Sequence, residues 1–126
     1  MLIRSQDKTA LVKFENIVVN LKLPESLRVI CWSLQDAQRS GGYFVLGEYS
    51  TKAKALKVLD MIQEAYMDFE SAKITSTGLA TAAYAISLNY DTPENVFDGI
   101  NALKEYGDSI KELMVFQIPA DSEVVV

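Results

Sequence analysis

Residues 16–23 have the sequence NIVVNLKL, and their pattern decides which kind of fold the chain can form. One side of this stretch is apolar and the other mostly polar, in strict alternation: Ile17, Val19, Leu21 and Leu23 against Val18, Asn20 and Lys22. A period of two residues is typical of a strand that buries one face. The stretch therefore predicts a β-strand.

Two more strands are predicted directly after it. Residues 24–26, PES, favour a turn. Residues 27–34 are apolar on both sides, which is typical of a central strand. Residues 36–42 are polar and end in two glycines, so they predict a loop before a third strand at residues 43–49. Together the three strands predict an antiparallel meander.

A first helix is predicted to follow this meander. Ser50 or Thr51 can cap it, because a hydroxyl accepts hydrogen bonds from the free backbone N–H groups of the first turn. Apolar residues then recur three or four positions apart, which predicts one stripe that packs on the sheet: Leu56, Leu59, Ile62, Tyr66 and Phe69.

The remainder of the chain is predicted to contain a crossing, a strand, a second helix and a last strand. Residues 70–83 are rich in Ser, Thr, Ala and Gly and predict an irregular crossing. Residues 84–90 alternate and predict a strand, with a helix as the alternative. Residues 114–118, MVFQI, predict a last strand that Pro119 ends, followed by an acidic tail to Val126.

The second helix has clear signals at both ends. Thr92 can cap it, and Pro93 suits the first helical position. Gly107 suits the left-handed residue that ends a helix. Its predicted buried stripe contains four residues: Val96, Ile100, Leu103 and Tyr106.

These elements predict an α+β fold in which one antiparallel sheet of about five to six strands packs against two helices. No internal repeat or linker appears, so residues 1–126 are expected to form a single domain. The chain has 49% apolar and 23% charged residues over 126 positions, which is enough to bury a core without disulfides or a metal.

The location of the protein is expected to be cytoplasmic. Cys31 is the only cysteine, which excludes an internal disulfide and fits a reducing compartment. Charged residues interrupt the first 14 positions, so a signal peptide is not expected. No stretch of about 18 apolar residues without charge occurs, so no membrane span is expected either.

The net charge of −5 is unevenly distributed. Residues 1–69 contain 9 basic and 8 acidic residues, whereas residues 70–126 contain 3 and 9. This balance disfavours direct binding of nucleic acid, whose affinity comes mainly from clustered Lys and Arg. The acidic half is either a solvated helix face with an acidic tail or a surface that imitates nucleic acid.

The sequence lacks the usual apparatus of catalysis. Histidine is absent, and so are the glycine-rich nucleotide motifs, the nucleophile elbow and the calcium loop. Glu105 and Asp108 have the spacing of ordinary helix-end carboxylates, and Cys31 lies in an apolar strand, where it is expected to be an inert core residue. We therefore expect a protein that is not an enzyme and holds no metal or cofactor.

Anion recognition is the chemistry that the residues favour. Arg4, Arg28 and Arg39 are the only arginines, and each lies in or beside a predicted sheet element where its planar fork could bind phosphate or carboxylate. Lysines crowd the start of the first helix, where an anion is favoured. The predicted ligand-binding residues are Arg28, Arg39, Tyr43, Tyr49 and Lys52.

Three stretches of the chain carry a resemblance: MLIRSQDKTALV at residues 1–12, LGEYSTKAKALKVLDMIQEAY at 46–66 and VFQIP at 115–119. They resemble a group of small, mostly uncharacterised proteins encoded by Firmicutes and by their phages and mobile elements. The resemblance implies a context in which genes modulate host processes or counter host defence. It implies no site residue.

Three functional hypotheses follow. The first is a binding protein, expected to form a homodimer, that sequesters a small anionic ligand such as a signalling nucleotide. The second is an inhibitor whose acidic second half blocks a basic surface on a nuclease or regulator. The third is an uncommon enzyme that uses carboxylates or tyrosine.

Overall fold

A computed structural model describes residues 1–35, 42–89 and 93–126, with the side chains at 83, 84, 86–89 and 93–98 outside that description. Two α-helices lie in these residues, α1 (Lys52–Asn89) and α2 (Pro93–Leu113). The strands are β1 (Leu2–Arg4), β2 (Leu11–Lys13), β3 (Ile17–Leu21), β4 (Arg28–Ser33), β5 (Phe44–Glu48) and β6 (Val115–Gln117). The α+β class is confirmed.

The strands form two small sheets instead of the single predicted sheet. The first has the order β2-β1-β6, and the second has the order β3-β4-β5. A 3₁₀ turn at Phe14–Asn16 interrupts the extended backbone between β2 and β3, so that β3 begins a new sheet. The predicted all-antiparallel pairing is also wrong, because β6 returns from the far end of the chain to lie parallel to β1.

The predicted meander is confirmed in the second sheet. β4 pairs antiparallel with β3 on one side and with β5 on the other. Val29 lies opposite Leu21 and Gly47, and a bulge follows it, because Ile30 lies opposite Val45. Both faces of β4 are largely covered, as its apolar sequence predicts, since Val29, Ile30 and Cys31 are 7% exposed or less.

The first helix is much longer than predicted. α1 continues through residues 70–89, so the irregular crossing and most of the strand predicted at 84–90 are wrong; residue 90 lies outside the described residues. The threonine side chains of this stretch, which are common in loops, form hydrogen bonds within the helix. Thr75, Thr77 and Thr81 each donate to the backbone carbonyl four residues earlier, at distances of 2.9, 3.0 and 2.9 Å. The composition is therefore compatible with a continuous helix.

The second helix begins at Pro93, as predicted, but it does not end at Gly107. It continues to Leu113, and Gly107 lies in its interior. The predicted buried stripe is only partly present, because Ile100 is 57% exposed while Leu103 and Tyr106 are half-buried. Thr92, the predicted cap, lies outside the described residues.

The chain divides into two compact units, which we name the sheet unit (residues 1–66 and 115–126) and the helical unit (residues 67–114). The expectation of a single domain stays a prediction. The core of the sheet unit contains side chains from both sheets, from α1 and from the segment after β6: Ile3, Val29, Leu46, Val58 and Ile118, none more than 1% exposed.

Two details of the sheet unit differ from prediction. The buried face of α1 contains Ala55, Val58 and Ile62, whereas Leu56 is 45% exposed, so the predicted stripe is rotated by about one position at its start. The expected tail also packs against the unit. Val124 is buried at 4% exposure, and Asp121 bonds to the segment before α1.

Candidate functional site

Arg28, one of the predicted ligand-binding residues, opens β4 at one end of the second sheet. Its register partner on β5 is Glu48, and its Nη2 lies 3.3 Å from the Glu48 Oε1. The two side chains are 44% and 60% exposed, so water screens the pair and its net stabilisation is small. The Arg28 guanidinium can therefore exchange Glu48 for another anion.

Lys22 lies beside Arg28, because the backbone N–H of Lys22 donates to the Arg28 carbonyl at 2.9 Å. The segment from Lys22 to Arg28 borders an open groove of about 210 Å³. The groove is lined by two cations, two carboxylates and three apolar residues: Lys22, Arg28, Glu25, Glu48, Leu23, Pro24 and Leu27. We name it the β4 groove.

Tyr43, a second predicted residue, reaches Lys22 from the residue before β5. The Lys22 Nζ lies 4.6 Å from the centre of the Tyr43 ring and also donates a hydrogen bond to the Tyr43 hydroxyl. Tyr43 is 45% exposed, so part of its surface stays accessible to solvent. The structure thus links Arg28 and Tyr43 through Lys22, which combines a guanidinium, an ammonium and an aromatic ring on one surface.

The remaining predicted residues lie elsewhere. Tyr49 is only 2% exposed, and its hydroxyl donates to the Pro119 carbonyl at 3.0 Å. Burial, followed by the charges of Asp121 and Glu123, raises the pKa of Tyr49 above its usual value. Tyr49 therefore has a core contact and offers no surface to a ligand. Lys52 is exposed at the start of α1 and does not line the β4 groove, and Arg39 lies outside the described residues.

The start of α1 does bind an anion, but the anion is a side chain of the same protein. The Asp121 carboxylate accepts from the Ser50 backbone N–H at 2.7 Å and from the Ser50 hydroxyl at 3.0 Å. It also pairs with the Lys54 ammonium at 3.1 Å. These contacts, the Ser50 N–H first, lower the pKa of Asp121. Thr51 caps the helix by accepting from the Lys54 backbone N–H at 3.2 Å, as predicted.

Lys22 is the residue of this site that the sequence did not single out. The alternation of residues 16–23 assigns it to the polar side of a strand, where a lysine is unremarkable. The pairing of β3 with β4 brings Lys22 beside Arg28, and Tyr43, just before β5, lies against the Lys22 ammonium. The sequence feature that could have indicated Lys22 is its position as a polar residue at the strand end nearest Arg28.

The one cysteine of the chain lies in the core and not at this surface. Cys31 is 2% exposed, and burial raises the pKa of its thiol, which disfavours the nucleophilic thiolate. Within residues 1–35, 42–89 and 93–126, no group of three or more acidic or cysteine side chains is arranged to hold a metal ion.

Over the same ranges, no helix is long and apolar enough to cross a membrane.

Comparison with known proteins gives no relative to argue from. No protein-family model, no curated protein and no solved structure matches the chain.

Proposed function

We propose that the protein binds a small anionic ligand, with a nucleotide as the first candidate, on the surface formed by Lys22, Arg28 and Tyr43. The contact of Lys22 with both neighbours carries the proposal. Its backbone N–H donates to the Arg28 carbonyl at 2.9 Å, and its Nζ lies 4.6 Å from the Tyr43 ring centre. A phosphate can accept two N–H bonds from a guanidinium, and a base can stack on a tyrosine.

Glu48 has a specific part in this proposal. It occupies one Arg28 N–H at 3.3 Å and leaves the other donors of the guanidinium to a ligand. Arg28 and Glu48 are both largely exposed, so water screens their ion pair. A phosphate that replaces the Glu48 carboxylate would form two hydrogen bonds with the Arg28 guanidinium in place of one. The neighbouring carboxylates Glu25 and Glu48 also repel anions that lack the correct geometry, which favours selectivity over affinity.

The biological role that we propose follows from the resemblance to proteins of phages and mobile elements. A protein that binds a signalling nucleotide without transforming it lowers the free concentration of that signal and so counters a host defence that depends on it. Such a protein needs a binding surface and no catalytic group.

Calorimetry with mono-, di- and cyclic nucleotides tests the proposal. We expect at least one to bind with a Kd below about 100 μM, and Arg28→Gln and Lys22→Gln each to weaken it about tenfold or more. Lys57→Gln is the matched control, because Lys57 is an exposed lysine on α1 that does not line the β4 groove. Absence of binding by every nucleotide, or equal binding by the Arg28→Gln variant, contradicts the proposal.

One observation favours the inhibitor as a second candidate. The helical unit contains 3 basic and 8 acidic residues, so its net charge of −5 equals that of the whole chain. An acidic helical surface suits a partner whose own surface is basic. A triple variant, Glu105→Gln with Asp108→Asn and Glu112→Gln, is expected to abolish capture of such a partner and to leave nucleotide binding unchanged.

A further inference from the structure

The first sheet has no acidic residue in its strands, in contrast to the β4 groove, which two carboxylates line. Its three strands have the sequences LIR, LVK and VFQ. Arg4 lies opposite Leu11 on one side and Gln117 on the other. The intervening residues, Ile3, Val12 and Phe116, point the opposite way, and Ile3 is fully buried. Arg4, Leu11 and Val115 therefore share the outer face.

A second groove lies on this face, and we name it the β1 groove. It has a volume of about 290 Å³, near the lower end of the range for small-molecule sites. Six residues line it: Arg4, Lys8, Thr9, Ala10, Leu11 and Val115. Leu11 is 55% exposed and Val115 is 43% exposed, so the groove offers apolar surface next to two cations.

The turn between β1 and β2 positions Lys8. Lys8 has φ 65°, in the left-handed region, and its N–H donates to the Ser5 carbonyl at 2.9 Å. The Asp7 carboxylate fixes this turn by accepting from the Ser5 hydroxyl at 2.5 Å and from the Thr9 N–H at 3.0 Å. These hydrogen bonds, that from Ser5 first, lower the pKa of Asp7.

The two cations of the β1 groove are not neutralised within the described part of the chain. No carboxylate there lies within 4.0 Å of the Arg4 guanidinium or of the Lys8 ammonium. Asp7 directs its oxygens to Ser5 and Thr9 instead. Arg28 in the β4 groove, by contrast, is paired with Glu48. In a chain of net charge −5, two such cations beside apolar side chains form a distinctive surface.

We propose that the β1 groove binds an amphiphilic anion, whose phosphate or carboxylate head contacts Arg4 and Lys8 and whose aliphatic body lies on Leu11 and Val115. The head gains charge-assisted hydrogen bonds, and the body removes apolar surface from water. The hydroxyl of Thr9 already donates to Asp7, so the cations supply the donors for the head. This site is on a different sheet from the β4 groove and does not depend on nucleotide binding.

Calorimetry on the full chain with octyl phosphate and octanoate, both below their micelle concentrations, tests the inference. We expect both to bind, and octanol and inorganic phosphate, which each lack one half of the ligand, to bind at least about tenfold more weakly. A stronger response to octyl phosphate than to octanoate identifies phosphate as the preferred head, and the reverse result identifies carboxylate. Equal binding of octanol and octyl phosphate overturns the proposal.

Variants locate the site. Arg4→Gln and Lys8→Gln are each expected to weaken octyl phosphate about tenfold, and Leu11→Ser is expected to weaken it without changing its dependence on salt. Lys13→Gln is the matched control, since Lys13 lies on β2 but does not line the groove. Circular dichroism confirms that each variant is folded. Undiminished binding by the Arg4→Gln, Lys8→Gln double variant overturns the proposal.

The same variants separate this proposal from the nucleotide site. Arg28→Gln is expected to leave octyl phosphate binding unchanged, and Arg4→Gln is expected to leave nucleotide binding unchanged. If Arg28→Gln weakens octyl phosphate as much as Arg4→Gln does, the anion binds at the β4 groove and the β1 groove is not a site.

Discussion

The sheet unit and the helical unit differ in how their residues are held. In the sheet unit, ion pairs join residues far apart in the chain, such as Met1 with Glu15 and Lys54 with Asp121. In the helical unit, the described pairs join residues one turn apart, Lys73 with Glu70 and Lys111 with Asp108. The charges differ too, since the sheet unit contains 9 basic and 9 acidic residues and is neutral overall.

Burial differs in the same direction. The sheet unit contains nearly all of the described buried apolar side chains, whereas Phe69 is the one in the helical unit. Met67, Ile74 and Ile100, all in the helical unit, are 57% exposed or more. Among the side chains that the structure describes, apolar burial is therefore concentrated in the sheet unit. We expect residues 67–82 and 99–114 of the helical unit to exchange their amide hydrogens at a lower free energy of opening.

The largest expected effect is a contrast between two isoleucines. Ile3 is fully buried in the sheet unit, so Ile3→Ala removes buried methyl groups, leaves a cavity and costs about 2–5 kcal/mol of unfolding free energy. Ile74 is 74% exposed in the helical unit, so Ile74→Ala changes stability by no more than about 0.5 kcal/mol. Urea denaturation measures both values.

A milder variant keeps this comparison measurable if Ile3→Ala does not fold. Ile3→Val removes one methylene and is expected to cost about 0.5–1.5 kcal/mol. A cost of Ile74→Ala equal to that of Ile3→Ala would show that the face of α1 around Ile74 is buried in solution. The contrast between the two units would then be wrong.

Two glycines are expected to respond with opposite signs when alanine replaces them. At Gly47 an added Cβ would lie 2.9 Å from the Ile118 Cγ2 and 2.9 Å from the Tyr49 hydroxyl oxygen, so Gly47→Ala overpacks the core and costs about 1–3 kcal/mol. At Gly78, inside α1, nothing lies within 4 Å of the added atom. Gly78→Ala therefore stabilises by about 0.5–1 kcal/mol through helix propensity.

Thermal denaturation of both glycine variants sharpens the comparison of the units. If Gly47→Ala raises the Tm, the sheet unit is less tightly packed around Ile118 than described. If Gly78→Ala lowers it, a neighbour contacts that part of α1 in solution.

Local patterns predicted the second sheet well. The alternation of residues 16–23 and the apolar run at 27–34 led to β3 and β4 with errors of one or two residues at each end. Such patterns work here because the short turn at residues 23–25 brings adjacent strands together with little loss of chain entropy. The capping hydroxyl of Thr51 was predictable for the same reason, since its partner is three residues away.

The first sheet could not be predicted in this way. Its central pairing joins Leu2–Arg4 to Val115–Gln117 across almost the whole chain, and no local period records such a contact. The last strand was predicted at residues 114–118 and is confirmed as β6, but β1 and β2 are only three residues long, too short for alternation to be informative.

Residues 70–83 were predicted to be irregular because Ser, Thr and Gly favour loops on average. The helix there instead satisfies the threonine hydroxyls internally.

The candidate site was half predictable. Scarcity of arginine pointed to Arg28, and the aromatic residue expected from the third strand is Tyr43. Tyr49 is also a tyrosine of the predicted third strand, but it faces the core. The bulge that shifts the pairing of β4 with β5 between these two tyrosines cannot be seen in the sequence. Lys22 could be recognised as part of the candidate site only once the pairing of β3, β4 and β5 was known. Residue type therefore pointed to candidate residues, and the register of the strands decides which of them lie together.

The smallest expected effect concerns Asp121, which joins the end of the chain to the start of α1 in the sheet unit. Its pKa is lowered, so the folded state binds a proton there less readily than the unfolded state does. The stabilisation is present above the unfolded pKa, near 3.8, and is lost as the pH falls through the folded value. Asp7 and Glu15, also in the sheet unit, have lowered pKa values and act in the same direction.

Replacement of Asp121 tests this assignment through the pH dependence of stability. Asp121→Asn keeps the shape of the side chain but removes the charge that Ser50 and Lys54 contact, so it is expected to be less stable than the wild type at neutral pH. The difference is expected to shrink as the pH falls below 4, because the wild-type carboxylate then becomes neutral as well. Urea midpoints at pH 7, 4 and 3 measure it. Asp108→Asn in the helical unit is the control, since Asp108 pairs with Lys111 one turn away. A constant difference between Asp121→Asn and wild type at all three pH values would assign the loss to hydrogen-bond geometry and not to the charge.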